Sequence, residues 1–402
     1  MIRLQAYKFR LKTNYIQERQ LRQFAGSCRF VWNKALALQK QRLDNREKRL
    51  SYNKLALFLP EWKKEHPFLK ETHSQIIQQT LMNLDRAIKD AFNKTSPKKF
   101  PVFKKKGKHD SFRYPQGFRI DQNNSRIYLP KIGWIRYHNS RTIEGIPKNV
   151  TVSLSSGHWY VSVQTERDVQ MPAHPSNSII GIDAGIIKLA TLSDGMVFEP
   201  ANSFKRYRKR LARYQRDMAR KKKFSSNWKK AKAKIQCLQA KIANTRRDYL
   251  HKTTTTICKN HVIVCIEDLK VSNMSKSARG TIGNPGRNVK AKSGLNRSIL
   301  DQGWFELRRQ LEYKQAWNGG MVLVVPARNS SRTCNACGNI SADNRTSQAK
   351  FRCTNCGFEI NADINAARNI LAAGHAVLAC GEIAQSGYSM KQEPTEAIQA
   401  CA

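Results

Sequence analysis

Three carboxylates stand at the ends of apolar runs. Asp183 follows Ile179-Ile180-Gly181-Ile182 and precedes Ala184-Gly185, Glu267 closes Val262-Ile263-Val264-Cys265-Ile266, and Asp363 opens a helical run through Ile364, Ala367, Ile370 and Leu371. An ionised carboxylate beside a buried strand is costly unless it is paired or on a metal. Three converging acids would form the oxygen-rich site that Mg²⁺ or Mn²⁺ prefers. Two such ions flanking a phosphodiester activate water and stabilise the leaving 3′ oxygen. Each acid alone has a plainer use, as a turn residue at a strand end or, for Asp363, as a helix N-cap. Asp194, Asp268 and Glu359 share the chemistry but sit in turn or flanking positions.

A second constellation is Cys334-x2-Cys337, fifteen residues, then Cys353-x2-Cys356, which fits four-cysteine zinc spacing. Gly338 and Gly357 follow the pairs, where a tight knuckle needs permissive backbone. Four protein ligands leave no open position, so a zinc held here is structural; an iron–sulfur centre is the alternative. The other six cysteines, Cys28, Cys237, Cys258, Cys265, Cys380 and Cys401, are scattered and read as small apolar residues or free thiols. With no apolar h-region after Met1-Ile2-Arg3-Leu4-Gln5, a reducing cytoplasm is expected.

The background is strongly basic. Among 402 residues, 72 Lys and Arg oppose 29 Asp and Glu, a formal charge of +43. An apolar fraction of 40% with 9% aromatics excludes a disordered basic tail, and the length suggests two or three domains. Such a charge opposes compaction unless a polyanion neutralises it. No run approaches the ~18 apolar residues of a spanning helix, so the expected partner is nucleic acid rather than a membrane, and no obligate protein partner is evident. A ~20-bp heteroduplex carries roughly 40 phosphates, a closer match than a short recognition site.

The elements that must position these residues follow from periodicity. Leu4 to Leu11 reads as a strand, Leu21, Phe24, Cys28, Val31, Ala35 and Leu38 as one helical stripe, and Ile77, Leu81, Leu84, Ile88 and Phe92 as another. The simplest use of the two stripes is to pack together, leaving Arg19, Arg22, Arg29, Arg86 and Lys89 on polar faces. From Phe100 to about Gln164 short strands alternate with turns, as in a small barrel or sandwich. Lys104-Lys105-Lys106 forms a basic loop there, a solvated loop or a phosphate clamp. From Ile179 the pattern is α/β. Residues 201–252 hold 19 Lys and Arg against Asp217 and Asp248, and the seam Leu211, Tyr214, Met218, Ile235, Leu238, Ile242 reads as a helical hairpin turning near Phe224-Ser225-Ser226-Asn227. So much unpaired like charge suggests a bound phosphate backbone. Residues 272–297, rich in Gly, Ser, Asn and Lys, read as a flexible lid loop.

The order of these parts resembles the split RuvC nuclease of the TnpB family. The resemblance rests on Gly181-Ile182-Asp183-Ala184-Gly185, Ile266-Glu267-Asp268-Leu269, Ser330-Ser331-Arg332-Thr333-Cys334 entering the four-cysteine finger, and Asp363-Ile364-Asn365-Ala366-Ala367-Arg368-Asn369-Ile370. Tyr7-Lys8-Phe9-Arg10-Leu11 and Cys28-Arg29-Phe30-Val31-Trp32-Asn33 fit as well. The family is encoded by bacterial insertion sequences and is related to type V CRISPR effectors. The resemblance implies an α/β multidomain protein: a split RNase H-like (RuvC) nuclease with a zinc finger, plus an N-terminal helical lobe and a small β-barrel. It places the first wedge-barrel strand at 1–12, the recognition lobe at 13–98, the rest of the barrel at 99–177 and the nuclease at 178–330, the last including the basic hairpin at 201–258. The finger follows at 331–358, the last nuclease segment at 359–375, and a tail without chemistry at 376–402. It implies Asp183, Glu267 and Asp363 as catalytic Mg²⁺ or Mn²⁺ ligands, and Tyr52 and Gln78 as readers of a short transposon-adjacent motif. The implied activity is guide-RNA-directed cleavage of double-stranded target DNA, with the RNA drawn from the transposon end, in the bacterial cytoplasm at the nucleoid. Family members without nuclease residues act as guided repressors, and a transposase or transposase accessory role is a third reading.

Overall fold

The computed structural model describes residues 1–379, which divide into two compact units, one ending at Gln170 and one beginning at Met171. In the first, strand β1 (Ile2–Lys12) leads into helices α1 (Tyr15–Asp44), α2 (Tyr52–Ala56), α3 (Leu59–Glu65), α4 (Phe68–Glu71) and α5 (Ser74–Phe92). Strands β2 (Ser111–Tyr114), β3 (Arg119–Asp121), β4 (Arg126–Leu129), β5 (Gly133–Tyr137), β6 (Ile146–Ser155) and β7 (His158–Asp168) complete an antiparallel sheet in the order β2-β6-β7-β1-β5-β4-β3. Alternation along β1 buries Tyr7, Phe9 and Leu11 and leaves Lys8, Arg10 and Lys12 outside. The strand pairs with β7 from Ile2↔Asp168 to Arg10↔Tyr160, then passes to β5 at Leu11↔Tyr137. The sheet curls around one core that includes Tyr114, Leu129, Ile135, Val150 and Trp159.

Helix α1 starts at a capping box made by Asn14 and Gln17 and divides its apolar stripe between two cores. Leu21, Phe24 and Cys28 pack into the sheet core. Val31, Trp32, Ala35 and Leu36 join Leu55, Trp62, Leu81 and Leu84 in a mainly helical core. The expected packing of the two long helices therefore describes the second half of α1, while its first turns face the sheet.

The second unit is a layered α/β structure. Strands β8 (Ile179–Asp183), β9 (Ala190–Leu192) and β10 (Val197–Phe198) precede helices α6 (Ser203–Ala219) and α7 (Ser226–Asn260). Then come β11 (Ile263–Glu267), α8 (Val271–Met274), α9 (Val289–Gln302), α10 (Trp304–Asn318), β12 (Met321–Val325), β13 (Lys350–Arg352), β14 (Glu359–Asn361) and α11 (Ala362–Ala379). The sheet order is β10-β9-β8-β11-β12, with β8, β11 and β12 parallel and β9 and β10 antiparallel. Strands covered on both faces explain the unbroken apolar runs. Ile180, Ile182, Val264 and Ile266 pack with Leu250, Ile257, Trp304 and Leu311, whereas Cys265, Leu323 and Val325 pack beneath Ile370 of α11.

Two glycines let α11 lie on the sheet at backbone distance. A Cβ at Gly181 would stand 2.2 Å from the Ala367 carbonyl oxygen, and one at Gly374 would stand 2.1 Å from Cys265 Sγ. Helices α6 and α7 close on Leu211, Ile235, Leu238 and Ile242, flanked by Tyr207, Tyr214 and Met218. The segment 272–297 is not a loop throughout: α8 reaches Met274 and α9 begins at Val289. Polar composition hid this, because the contacts that order α9 are polar. Lys292 Nζ donates to Met274 O at 2.6 Å, and Asn296 Nδ2 donates to Ser275 O at 2.9 Å, capping the end of α8, while Ile299 is buried. Residues 376–379, expected in the tail, continue α11; residues 380–402 lie outside the described residues. No helix of the described residues is long and apolar enough to cross a membrane.

Candidate active site and four-cysteine finger

Strands β8 and β11 run side by side with Ile182 opposite Ile266. Their next residues, Asp183 and Glu267, therefore stand together at the C-terminal edge of the sheet, the edge where open α/β sheets place their ligand crevices. Asp363 enters from the first turn of α11, one turn before the Ala367 carbonyl that meets Gly181. Burial first, then the charges of Glu267 and Asp363, push the Asp183 carboxyl up to about 7, with Arg345 pulling the other way. Burial also raises Glu267, opposed by the hydrogen bond that Ser330 Oγ donates to it. Asp363 faces two cations, Lys188 Nζ at 3.8 Å and Arg345 at 3.6 Å.

Asp363 is not the cap of its own helix. Asn361 Oδ1 takes that role, accepting from the backbone N–H of Asp363 at 3.0 Å and of Ile364 at 3.4 Å. Asp301 shows what a purely structural buried acid looks like here. It accepts from Ser203 Oγ at 2.7 Å and from the N–H groups of Phe204 and Lys205 at the start of α6, with Arg246 at 3.5 Å. The Asp183 carboxyl is raised by its neighbours rather than held by such a donor set, and its negative charge is what a cation would stabilise. Among the described residues, the four cysteines are a group of metal-ligating side chains whose ligand atoms all lie within 4.8 Å of one another.

In the finger, Cys334 Sγ lies 3.7 Å from Cys356 Sγ, and Cys337 Sγ lies 3.5 Å from Cys353 Sγ. Four sulfurs each about 2.3 Å from a central zinc would be spaced by roughly 3.8 Å, so the thiols already approach that tetrahedron. Gly338 and Gly357 both adopt φ of +75° after their knuckles, a conformation that favours glycine. Backbone N–H groups of Cys356 and Asn355 aimed at Cys353 lower its thiol, which favours the ligating thiolate there. Buried Asn344 ties the knuckles together: its Nδ2 donates to Arg332 O and Asn339 O, and its Oδ1 accepts from Thr354 N at 2.9 Å. Asn365 and Asn369 of α11 both donate to Thr333 O at 2.7 Å. The finger is thus anchored to the helix that carries Asp363.

The candidate nucleic-acid contacts fall in the first unit. Tyr52 opens α2 and lines a groove with Met82 and Arg86 of α5, and exposed Gln78 lies one turn before Met82. Lys105 and Lys106 are exposed, whereas the Lys104 ammonium lies 3.9 Å over the Trp32 ring, and burial lowers its pKa. Sequence reasoning missed Arg345, Lys188 and Ser330. Arg345 sits in the polar stretch between the knuckles, where no periodicity marks it and where Lys350 and Arg352 are equally basic, so no local signal singles it out.

A parallel β8-β11-β12 core extended by antiparallel β9 and β10, with acids on β8, β11 and the covering helix, is the α/β fold of RuvC-containing nucleases. Comparison with known proteins agrees. The IS605 OrfB family model, described as "Probable transposase", matches residues 160–278, and a Cas12f1-like TNB domain model matches 304–370. A helix-turn-helix model matches 1–48, which fold here as strand β1 and one long helix. A relative from Escherichia coli (strain K12), named for RNA-guided DNA endonuclease activity as InsQ, is 60% identical over 100% of both chains. A Streptomyces pristinaespiralis relative, also named for RNA-guided DNA endonuclease activity, is 36% identical over 98% of this chain and 96% of its own. The chain belongs to the TnpB family. The solved Cas12f1–sgRNA–target DNA complex shares the fold, with TM-score 0.55 at 16% identity over 88% of this chain and 82% of that one.

Proposed function

We propose that the protein is an RNA-guided, metal-dependent endonuclease that cleaves double-stranded DNA beside a short transposon-adjacent motif, using guide RNA from the transposon end. The observation that carries this reading is the meeting of Asp183, Glu267 and Asp363 from β8, β11 and α11, where burial first and then the charges of Glu267 and Asp363 raise the Asp183 carboxyl. These are oxygen donors of the type Mg²⁺ and Mn²⁺ prefer. Bound cations would supply water activation and stabilisation of the leaving 3′ oxygen. The protein does the rest. Adjacent strand ends fix Asp183 and Glu267, Ser330 orients the Glu267 carboxylate, and Gly181 admits α11 so that Asp363 can approach. Lys188 and Arg345 keep Asp363 in place and stand where phosphodiester charge would arrive. The cysteine tetrahedron suits structural Zn²⁺.

Domain roles follow the same reading. Residues 1–12 and 99–177 form a wedge barrel, 13–98 a recognition lobe, 178–330 and 359–375 the nuclease, and 331–358 the finger. Tyr52 and Gln78 read the adjacent motif, and Lys104, Lys105 and Lys106 contribute positive charge along the nucleic-acid backbone. The complex works in the cytoplasm at the nucleoid. The test is purified ribonucleoprotein with Mg²⁺ and a plasmid carrying guide-matched target beside the motif. Cutting is expected, and Asp183→Ala, Glu267→Ala and Asp363→Ala each abolish it while guide-RNA binding stays near normal. Tight binding that leaves the plasmid intact identifies a guided repressor, and joining of transposon ends to target identifies a transposase.

A further inference from the structure

A cavity of about 550 Å³ opens beside Glu267, between the ends of β8 and β11, helix α8 and the start of α10. Its volume is that of a small-molecule site. The walls are mainly apolar, from Ile182, Ile266, Leu269 and Val271, with Trp304 and Phe305 at the first turn of α10. Glu267 belongs both to this cavity and to the carboxylate cluster.

Phe305 is not explained by packing within the fold: it is 73% exposed although it lines an apolar cavity. Three basic side chains line the cavity, and two of them are already matched, Arg308 by Asp268 and Glu312, each at 2.8 Å, and Arg309 by Glu306 at 2.7 Å, while Lys270 is exposed. The complementary ligand is flat and apolar on its faces and is joined to an anion. A nucleobase within a strand has each of these properties.

We propose that this cavity receives the base of a nucleotide adjoining the scissile phosphodiester, turned out of its stack, with Phe305 against its face. The inference rests on the nuclease reading above and names how the substrate strand is held. Every base offers a π-face and edge acceptors, so the site is sequence-tolerant. A base inside a duplex cannot enter, so the strand must be locally unpaired before it is cut.

The test uses the full-length protein loaded with guide RNA, in single-turnover cleavage of matched duplexes bearing one abasic nucleotide stepped across the cut site. One abasic position is expected to slow the wild type roughly tenfold or more, the scale of a lost base–aromatic stack. Phe305→Ala slows the intact substrate by a similar factor and becomes indifferent to that abasic position, whereas Phe305→Trp restores both rate and sensitivity. Thermal melting checks that these variants fold, and target-duplex binding stays unchanged. Cleavage indifferent to every abasic position, or penalties from Phe305→Ala and the abasic site that simply multiply, overturns the inference while leaving the nuclease reading intact. A wild-type complex that cuts no matched duplex overturns both.

Discussion

Replacing Gly181 with alanine tests the geometry that joins fold to chemistry. The added Cβ would stand 2.2 Å from Ala367 O, 2.8 Å from Leu371 N and 2.9 Å from Leu371 Cβ. Ordinary contact begins at 3.4 Å, so α11 must retreat by about 1.2 Å. Two of those three contacts are backbone atoms, which leaves no side chain to swing aside. Asp363 lies one turn before Ala367 on the same helix and moves with it. Overpacking of this kind costs about 1–3 kcal/mol, near 2–4 °C of melting temperature per kcal/mol for a unit of this size. A reacting group misplaced by about 1 Å costs on the order of 10²-fold in rate. Single-turnover plasmid cleavage should therefore fall by about two orders of magnitude in Gly181→Ala, with a modest loss of melting temperature and unchanged guide-RNA binding. Gly374→Ala, which meets Cys265 Sγ three turns along the helix, should cost stability with a smaller effect on cutting. A Gly181→Ala protein that cuts and melts like the wild type would refute the argument.

Three further outcomes follow from the same coordinates. Asp183 is raised from 3.8 to about 7, so the metal-free native state holds more protons than the unfolded chain between those values. Stability in Mg²⁺-free buffer should thus fall as pH rises through that window and level off above about 7; urea melts of Asp183→Asn should show a shallower slope, the remainder belonging to Glu267, which burial also raises, and parallel curves would exclude the assignment. Cys356→Ser should release bound zinc, read by elemental analysis, and expose residues 331–358 to limited proteolysis, while Asn344→Ala should loosen the same segment with the thiols intact. In RNA-binding titrations against KCl, Lys105→Ala and Lys106→Ala should each flatten the log–log salt slope by roughly 0.7–0.9 if each meets one phosphate. Lys104→Ala should in addition lower melting temperature, because its ammonium rests on Trp32.

The parts of the site legible in the sequence were those whose signal is local. Unbroken apolar runs ending in Asp183 and Glu267 announce buried parallel strands, and the order of strands and acids carried the family. Paired cysteines at fixed spacing announce a knuckle without any knowledge of the fold. Positions set by long-range contact were illegible: Arg345 reaches Asp363 across the finger, and Ser330 reaches Glu267 from 63 residues away. The helix at Val289–Gln302 was hidden for a related reason, since its anchors are Lys292 and Asn296 donating to carbonyls of a neighbouring turn, which composition reads as loop. A lysine triplet looks uniform on paper, but one aromatic neighbour sets Lys104 apart from Lys105 and Lys106. The sequence alone allowed Asp363 to be the cap of its own helix, a place that Asn361 holds instead.

The central place of β1 in its sheet has a consequence for how the first unit is made. The strand leaves the ribosome well before its main partner, β7, at residues 158–168. At about 5–20 residues per second, synthesis of the intervening chain takes roughly ten to thirty seconds. Throughout that interval both edges of β1 are bare, with Tyr7, Phe9 and Leu11 along one face. The helices from Tyr15 to Phe92 can settle on their own core meanwhile, but the sheet closes late. The unit's exposure to misassembly is therefore concentrated in its opening residues, and Lys8, Arg10 and Lys12 supply the charge that discourages edge-to-edge pairing while β1 waits.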